Sequence, residues 1–356
     1  MEGATVSPRE RASGSALILS AFGLSLRTNQ PVPGLQRLQR CTEADVEVYL
    51  GELPEWLKAT PLDSAGAQVW HVSSEQTPAG TPSLKVWTLR DGTFFRLQFD
   101  DGTEFVLDRG GTSIWGKWPE RLPIEHAAIY LRGPILGFLL RLRGVTCLHA
   151  CSIALGDRAI TLTGPAEAGK STTAAAFARK GFGILADDVV ALTARDESFF
   201  VQPAFPLISL WPDAVQALFG SREALPLLTP TWEKRKLALA GDGYHFQDDS
   251  LPLAAIYILK GRKQDSPLAE IAPATPAHAL FELVANTYRN DLLSPEQRAV
   301  EFEFLGRVAA AVPLRRVQAV ADASQLGALC DAILADFRNL RASSEPSGSI
   351  SRVARV

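Results

Sequence analysis

The sequence predicts a two-part chain, an antiparallel β-rich N-terminal module followed by an α/β domain built around a phosphate-binding loop. Three observations carry that expectation. Residues 164–171, Gly-Pro-Ala-Glu-Ala-Gly-Lys-Ser, fit the pattern G-x-x-x-x-G-K-[ST]. A strand-like run at 159–163 leads into this loop, and an alanine-rich stretch at 171–180, closed by Gly181, leads out of it. Upstream, Asp-Gly turns recur between aromatic-rich runs, the signature of antiparallel hairpins.

Taken in order, residues 1–14 are polar and expected to be disordered. Residues 17–26 read as one strand, 31–34 as a turn, and 45–50 as a half-buried strand because apolar and polar positions alternate. The stretch 54–82, rich in Pro, Gly and Ser, reads as irregular. A meander follows, with strands near 84–89, 93–99 and 103–107 and turns at 90–92, 100–102 and 109–111. These segments form the module, 15–125. It reads as cover for the second domain or as an edge that binds a peptide by strand addition.

The second domain, 126–341, opens on a helix over 125–143 that contains Pro134. Strands at 146–155 and 159–163 flank a Gly156-Asp157 hairpin turn. In the loop, glycines allow the tight backbone that points successive N–H groups into one anion-sized hollow, and the helix N-terminus adds its dipole. Gly164, Pro165, Ala166, Glu167, Ala168, Gly169, Lys170, Ser171 and Thr172 are therefore the candidate nucleotide-binding residues. Lys170 is expected at the β- and γ-phosphates and Ser171 Oγ at Mg²⁺.

After the helix, an apolar strand at 182–186 ends on Asp187-Asp188. One helix and one strand separate Lys170 from these acids, a minimal βαβ unit, so both should emerge beside the loop. One carboxylate can hold Mg²⁺ and the other can take the proton of an attacking hydroxyl. Their positions on one strand predict opposite faces, and spacing leaves open which acid has which role.

The combination of Leu148-His149-Ala150, the loop, and Ala186-Asp187-Asp188 resembles the catalytic domain of the HPr kinase/phosphorylase family. That resemblance implies an HPr kinase-like P-loop kinase domain using ATP and Mg²⁺, with Asp188 as catalytic base, Asp187 and Ser171 at the metal, and Lys170 and His149 in the active site. It covers roughly residues 147–192. Ala150 stands where that family has Gly, and the downstream E-[LIV]-R-G-x-G signature is missing, so phosphorolysis is not expected. The chain also resembles kinase relatives from bacterial peptide natural-product clusters. The acceptor implied is a serine of a peptide or protein. A lasso-type precursor ranks first, an HPr-like protein second and a small-molecule hydroxyl third. The alternative is a nucleotide-dependent peptide-binding module that transfers nothing.

Composition narrows the classes. A net charge of −3 gives no electrostatic case for nucleic acid. The apolar stretches at 16–26 and 129–142 read as a strand and a buried helix, and neither as a membrane span. ATP chemistry implies the cytoplasm. The resembled family assembles as hexamers, so a homo-oligomer is a possible partner state. Cys147, His149 and Cys151 alternate on one strand too far apart to share a zinc ion. The cysteines read as small core residues.

Farther on, Leu-Trp-Pro-Asp at 210–213 opens a helix with Pro at its first turn, and 203–213 is expected near the site. Lys234-Arg235-Lys236, before a strand at 237–240, reads as a solvated basic run, the alternative being contact of one of these charges with phosphate or an acidic substrate. A buried strand at 254–259, helices at 276–289 and 295–311, a strand at 315–320 and a helix at 324–340 complete the domain. Arg289 reads as a helix C-terminal arginine, the alternative being contact with the transferred phosphoryl group. Residues 342–356 read as a disordered tail.

Overall fold

The computed structural model describes residues 17–39, 41–58, 66–241, 243–263, 269–320 and 323–344. The stretch 1–14 and the tail from residue 345 lie outside the described residues.

Nine strands form the N-terminal sheet: β1 (Leu17–Ala21), β2 (Leu24–Thr28), β3 (Gln36–Arg37), β4 (Val46–Leu50), β5 (Gln68–Val72), β6 (Leu84–Leu89), β7 (Phe94–Phe99), β8 (Glu104–Asp108) and β9 (Ser113–Lys117). The expected single strand at 17–26 is a hairpin. Phe22 and Gly23 both take positive φ, 55° and 74°, which a two-residue hairpin turn requires. The expected irregular stretch at 54–82 holds β5 and a single helical turn, α1 (Glu55–Lys58). The sheet is mixed rather than wholly antiparallel, because β2–β4 and β4–β9 pair parallel. The chain leaves β4 for the far edge at β5 and meanders back, so its last strand arrives alongside β4.

One face of this sheet is covered by α2 (Ile124–Tyr130) and α3 (Leu136–Leu142), which share a core with it. Phe95 of β7 meets Phe138 of α3 edge to face at 5.1 Å. Between the helices, residues Leu131–Ile135 form a π-turn around Pro134. Proline has no N–H for the α-helical ladder, and the wider turn absorbs the missing bond without ending the helix.

The second sheet holds eight strands. Its first members are β10 (Thr146–Leu155) and β11 (Arg158–Thr163), followed by α4 (Lys170–Arg179), β12 (Ile184–Ala186), β13 (Val189–Arg195) and β14 (Ser198–Val201). A side hairpin of β15 (Leu207–Leu210) and β16 (Arg235–Ala238) flanks α5 (Pro212–Phe219), and a small pair, β17 (Ala240–Gly241) and β18 (Tyr244–His245), follows. The sheet is completed by β19 (Leu251–Lys263), β20 (Glu270–Pro273) and β21 (Leu314–Val320). The remaining helices are α6 (Pro276–Ala285), α7 (Pro295–Ala311) and α8 (Leu326–Ser344). The last runs through residues expected to begin the tail.

Strands β11, β19 and β21 run parallel, while β10 is antiparallel to β11. The expected βαβ unit is split. Strand β12 does not lie beside β11 but pairs with β10, opposite Ser152 and Ile153. It still runs in the direction of β11, one strand removed. A second core, formed with α4, α5 and α8, includes Cys151, Ile160, Phe177, Val215 and Ile333. Four buried alanines (Ala174, Ala175, Ala176, Ala178) let α4 approach closely.

The two parts are joined by polar contacts as well as by the shared core. Asp101, in the β7–β8 turn, accepts from Tyr130 at 2.9 Å and meets His126 Nε2 at 2.5 Å. His126 Nδ1 lies 2.6 Å from Thr231 Oγ1. Trp70 of β5 donates to the Leu292 carbonyl at 2.9 Å.

Candidate functional site

The loop at 164–169 connects β11 to α4. Gly164 has φ +143°, and a Cβ there would fall 2.3 Å from the Leu259 carbonyl oxygen, so only glycine fits beside β19. Gly169 caps α4 with φ 93°. Glu167 also takes a left-handed φ, 64°, uncommon for a side chain with a Cβ. Pro165, Ala166 and Glu167 are exposed, while Ala168 is buried in the core beneath the loop. Lys170 folds back over the loop, its ammonium donating to the carbonyls of Gly164 and Pro165 at 2.9 Å each. Burial pulls its pKa down, against the pull of Cys151, Asp188 and Asp187. Ser171 and Thr172 stand half-buried in the first turn of α4.

The paired acids part ways. Asp188 takes φ 70°, so strand alternation does not govern the pair; a left-handed turn swings the second carboxylate away from the first. Asp187 is buried and accepts from the Cys151 thiol at 2.9 Å and from the Ser209 N–H at 3.0 Å. It also bonds Ser171. Burial raises its pKa, and the nearby Asp188 charge adds to the rise, outweighing those hydrogen bonds. Asp188 has a half-exposed side chain, with Oδ1 at 3.2 Å from His149 Nδ1. Desolvation pushes its pKa up, but the His149 hydrogen bond and charge, with Lys234 and Lys170, hold it below the usual carboxylate range.

Strand β10 places His149. Its backbone N–H donates to Asn286 O at 2.8 Å, and the Tyr288 N–H donates to Cys147 O at 2.8 Å. These bonds bring the Tyr288 ring within 6.2 Å of the imidazole. Cys147, His149 and Cys151 enter three different surroundings, beside Arg141, Asp188 and Asp187 respectively.

Ser171, Asp187 and Asp188 line a cavity of about 250 Å³ together with Arg132, Lys234 and Trp232. Phe205 and Ser209 line it too, as expected for the 203–213 stretch. Lys234 is thus not simply a solvated charge: its ammonium lies 4.9 Å from the Trp211 ring and it faces the cavity. Arg289 does not end a helix. It sits at φ 52° after α6 and pairs with Asp291 at 2.9 Å.

Sequence reasoning missed Cys151, Gly133 and Arg132 as residues of this site, and reached Ser209 only as part of the 203–213 stretch. The backbone amide of Ser209 has no sequence signature. Arg132 had one: with Pro134 and Arg141 it interrupts the apolar run 129–142.

The described residues form a mixed α/β fold of several sheets. Among them no helix is long and apolar enough to cross a membrane. No family model matches the chain, and no curated protein matches it. Among solved structures, it is similar to the HPr(Ser) kinase/phosphatase from Coxiella burnetii at 14% identity and a TM-score of 0.30, over 56% of this chain and 99% of that one. A score that low carries no weight for the site, whose reading rests on the residues above.

Proposed function

We propose that this chain is an ATP-dependent kinase that transfers the γ-phosphoryl group of MgATP to a serine hydroxyl of a peptide or protein. The observation that carries the reading is one cavity wall. There Ser171 and Asp187 meet beneath the loop, and Asp188, bonded to His149, stands beside them.

The loop N–H groups and Lys170 suit the phosphates of a nucleotide. The Ser171 hydroxyl and the Asp187 carboxylate are hard oxygen donors that fit Mg²⁺. A buried carboxylate whose pKa is raised by desolvation is also a group that a bound cation would relieve. Mg²⁺ held there would neutralise charge on the transferring phosphoryl group. Asp188 stays ionised at neutral pH and can accept the proton of an acceptor hydroxyl, with His149 fixing its orientation.

The finer reading follows the sequence resemblance, with a lasso-type precursor peptide first, an HPr-like protein second and a small-molecule hydroxyl third. ATP use places the reaction in the cytoplasm. The test is incubation with MgATP and candidate peptides, scored by a mass gain of about 80 daltons, one phosphoryl group. A second reading, a nucleotide-dependent peptide-binding module, draws on the outer edge strand β5, which exposes Val69 and Val72. Nucleotide binding without transfer to any acceptor would favour it.

A further inference from the structure

We infer that Arg132 is an acceptor-recognition residue, and that the acceptor carries a carboxylate a few atoms from its hydroxyl. The inference deepens the kinase reading and rests on it.

Arg132 is 4% exposed. A buried guanidinium is costly unless a counter-charge or hydrogen bonds compensate it. Among the described residues no acid forms an ion pair with it. Its Nε donates to the Ala128 carbonyl at 3.1 Å, inside its own helix. Its head packs 5.3 Å from the Phe205 ring and against Gly34 of the N-terminal module, where a Cβ would come within 1.8 Å of Nη1. Burial alone draws its pKa down to about 10, still a cation at neutral pH.

Its position gives that cation a use. The π-turn presents Arg132 to the cavity that Asp187 and Asp188 line. The next residue, Gly133, borders Asp188: a Cβ there would lie in ordinary contact with Oδ2, at 3.8 Å. Asp188 is the acid assigned to the acceptor hydroxyl, so this segment borders the acceptor side. The nucleotide phosphates have their own donors in the loop, on a different element. The planar fork of arginine matches a carboxylate with two parallel hydrogen bonds. Lys234, on the same cavity, adds positive charge.

The shared chemistry is a carboxylate. Its sources are a chain end after a terminal serine, an acidic side chain next to an internal serine, or a small hydroxy acid. The test uses the full chain with Mg²⁺ and ATP. The acceptors are a peptide ending in serine and its C-terminal amide, an internal Ser-Asp peptide and its Ser-Asn counterpart, and glycerate and its amide. At least one acid should exceed its amide by about tenfold or more in kcat/KM, the size of one charge-assisted interaction. Arg132→Gln should remove that difference through KM while nucleotide affinity holds, and Arg132→Lys should keep part of it. Equal use of acid and amide by the unmodified chain would overturn the inference, as would loss of nucleotide affinity in Arg132→Gln. Calorimetric titration of each acid and amide into the chain reads recognition without transfer. If MgATP binds and nothing is phosphorylated, the kinase reading fails. Carboxylate recognition by Arg132 is then read from binding alone: a tighter acid whose advantage Arg132→Gln erases upholds it, and equal binding of acid and amide overturns it.

Discussion

His149 Nδ1 lies 3.2 Å from Asp188 Oδ1, whereas the adjacent Asp187 has turned inward onto Ser171, Cys151 and the Ser209 amide. Two neighbouring carboxylates thus have different partners and oppositely shifted pKa values, the pattern that separates acid–base roles. Asp187→Asn should weaken the apparent Mg²⁺ affinity of single-turnover transfer, with part of the rate recovered by extra Mg²⁺. Asp188→Asn should leave MgATP binding near normal and lower the rate by about 10²–10⁴, because an amide cannot take the hydroxyl proton. Mg²⁺ titrations of both variants check this. Equal responses would mean that the acids share the metal and that His149 is the next candidate base.

Lys170→Ala should lose transfer by at least about 10²-fold, the scale of removing one preorganised charge donor. The fold should survive, since among the described residues the Lys170 ammonium bonds only the carbonyls of its own loop. Arginine should not substitute, because a planar fork does not replace a compact ammonium over that loop. Circular dichroism beside the transfer assay separates the two effects, and a folded Lys170→Ala variant with full activity would remove the loop from the mechanism.

Much of this site was legible in the sequence because its pieces are local. The loop, its flanking strand and helix, and the acid pair lie within one short stretch, and glycine and proline mark its turns. What was not legible depends on long-range pairing or on single dihedrals. Strand alternation predicted opposite faces for Asp187 and Asp188. They do diverge, but through a positive φ at Asp188 that alternation cannot foresee. The displacement of β12 onto β10 is a pairing choice between two mostly buried strands, β10 and β11. Arg132 looked like an interruption in an apolar helix, and only the π-turn turns it toward the acids. The β2–β4–β9 parallel pairings were hidden because hairpin signals report neighbours in sequence alone.

Inorganic phosphate should not drive dephosphorylation of the product. No E-[LIV]-R-G-x-G segment follows the acid pair, and that is the signature tied to phosphorolysis in the family the sequence resembles. Labelled product held with phosphate and Mg²⁺ should keep its label. Rapid phosphate-dependent loss with release of pyrophosphate would contradict this.

Gly137→Ala should destabilise the fold and slow transfer together. Gly137 lies on α3 against the buried Tyr288 ring, and a Cβ there would reach within 2.5 Å of Cε1. Overpacking of this kind costs about 1–3 kcal/mol. Any displacement of Tyr288 passes to His149, whose ring is its neighbour. Thermal unfolding should show the loss. An unchanged melting temperature would mean that the ring has room to yield.

The pH dependence of stability should carry opposite signatures from the two acids. Asp187 has its folded pKa raised by burial. In the absence of metal its charge costs nothing below the unfolded value, about 3.9. The cost grows as pH climbs from there through the folded pKa, and is constant above it. Asp188 has its folded pKa lowered by His149, so its contribution is stabilising above about 3.9 and is lost as pH falls through the folded value. Asp187→Asn should therefore melt higher than the unmodified chain at neutral pH in EDTA. The asparagine can still accept from the Ser209 amide. The gap should close as pH falls below about 3.9, where the aspartate becomes protonated in both states. With Mg²⁺ added the order should reverse, because only the carboxylate gains from the cation. Asp188→Asn should instead melt lower at neutral pH with or without Mg²⁺. Melting curves at two pH values, with EDTA and with Mg²⁺, decide it. An Asp187→Asn variant that is less stable at neutral pH in EDTA would mean that the hydrogen bonds from Cys151, Ser209 and Ser171 already compensate the buried charge.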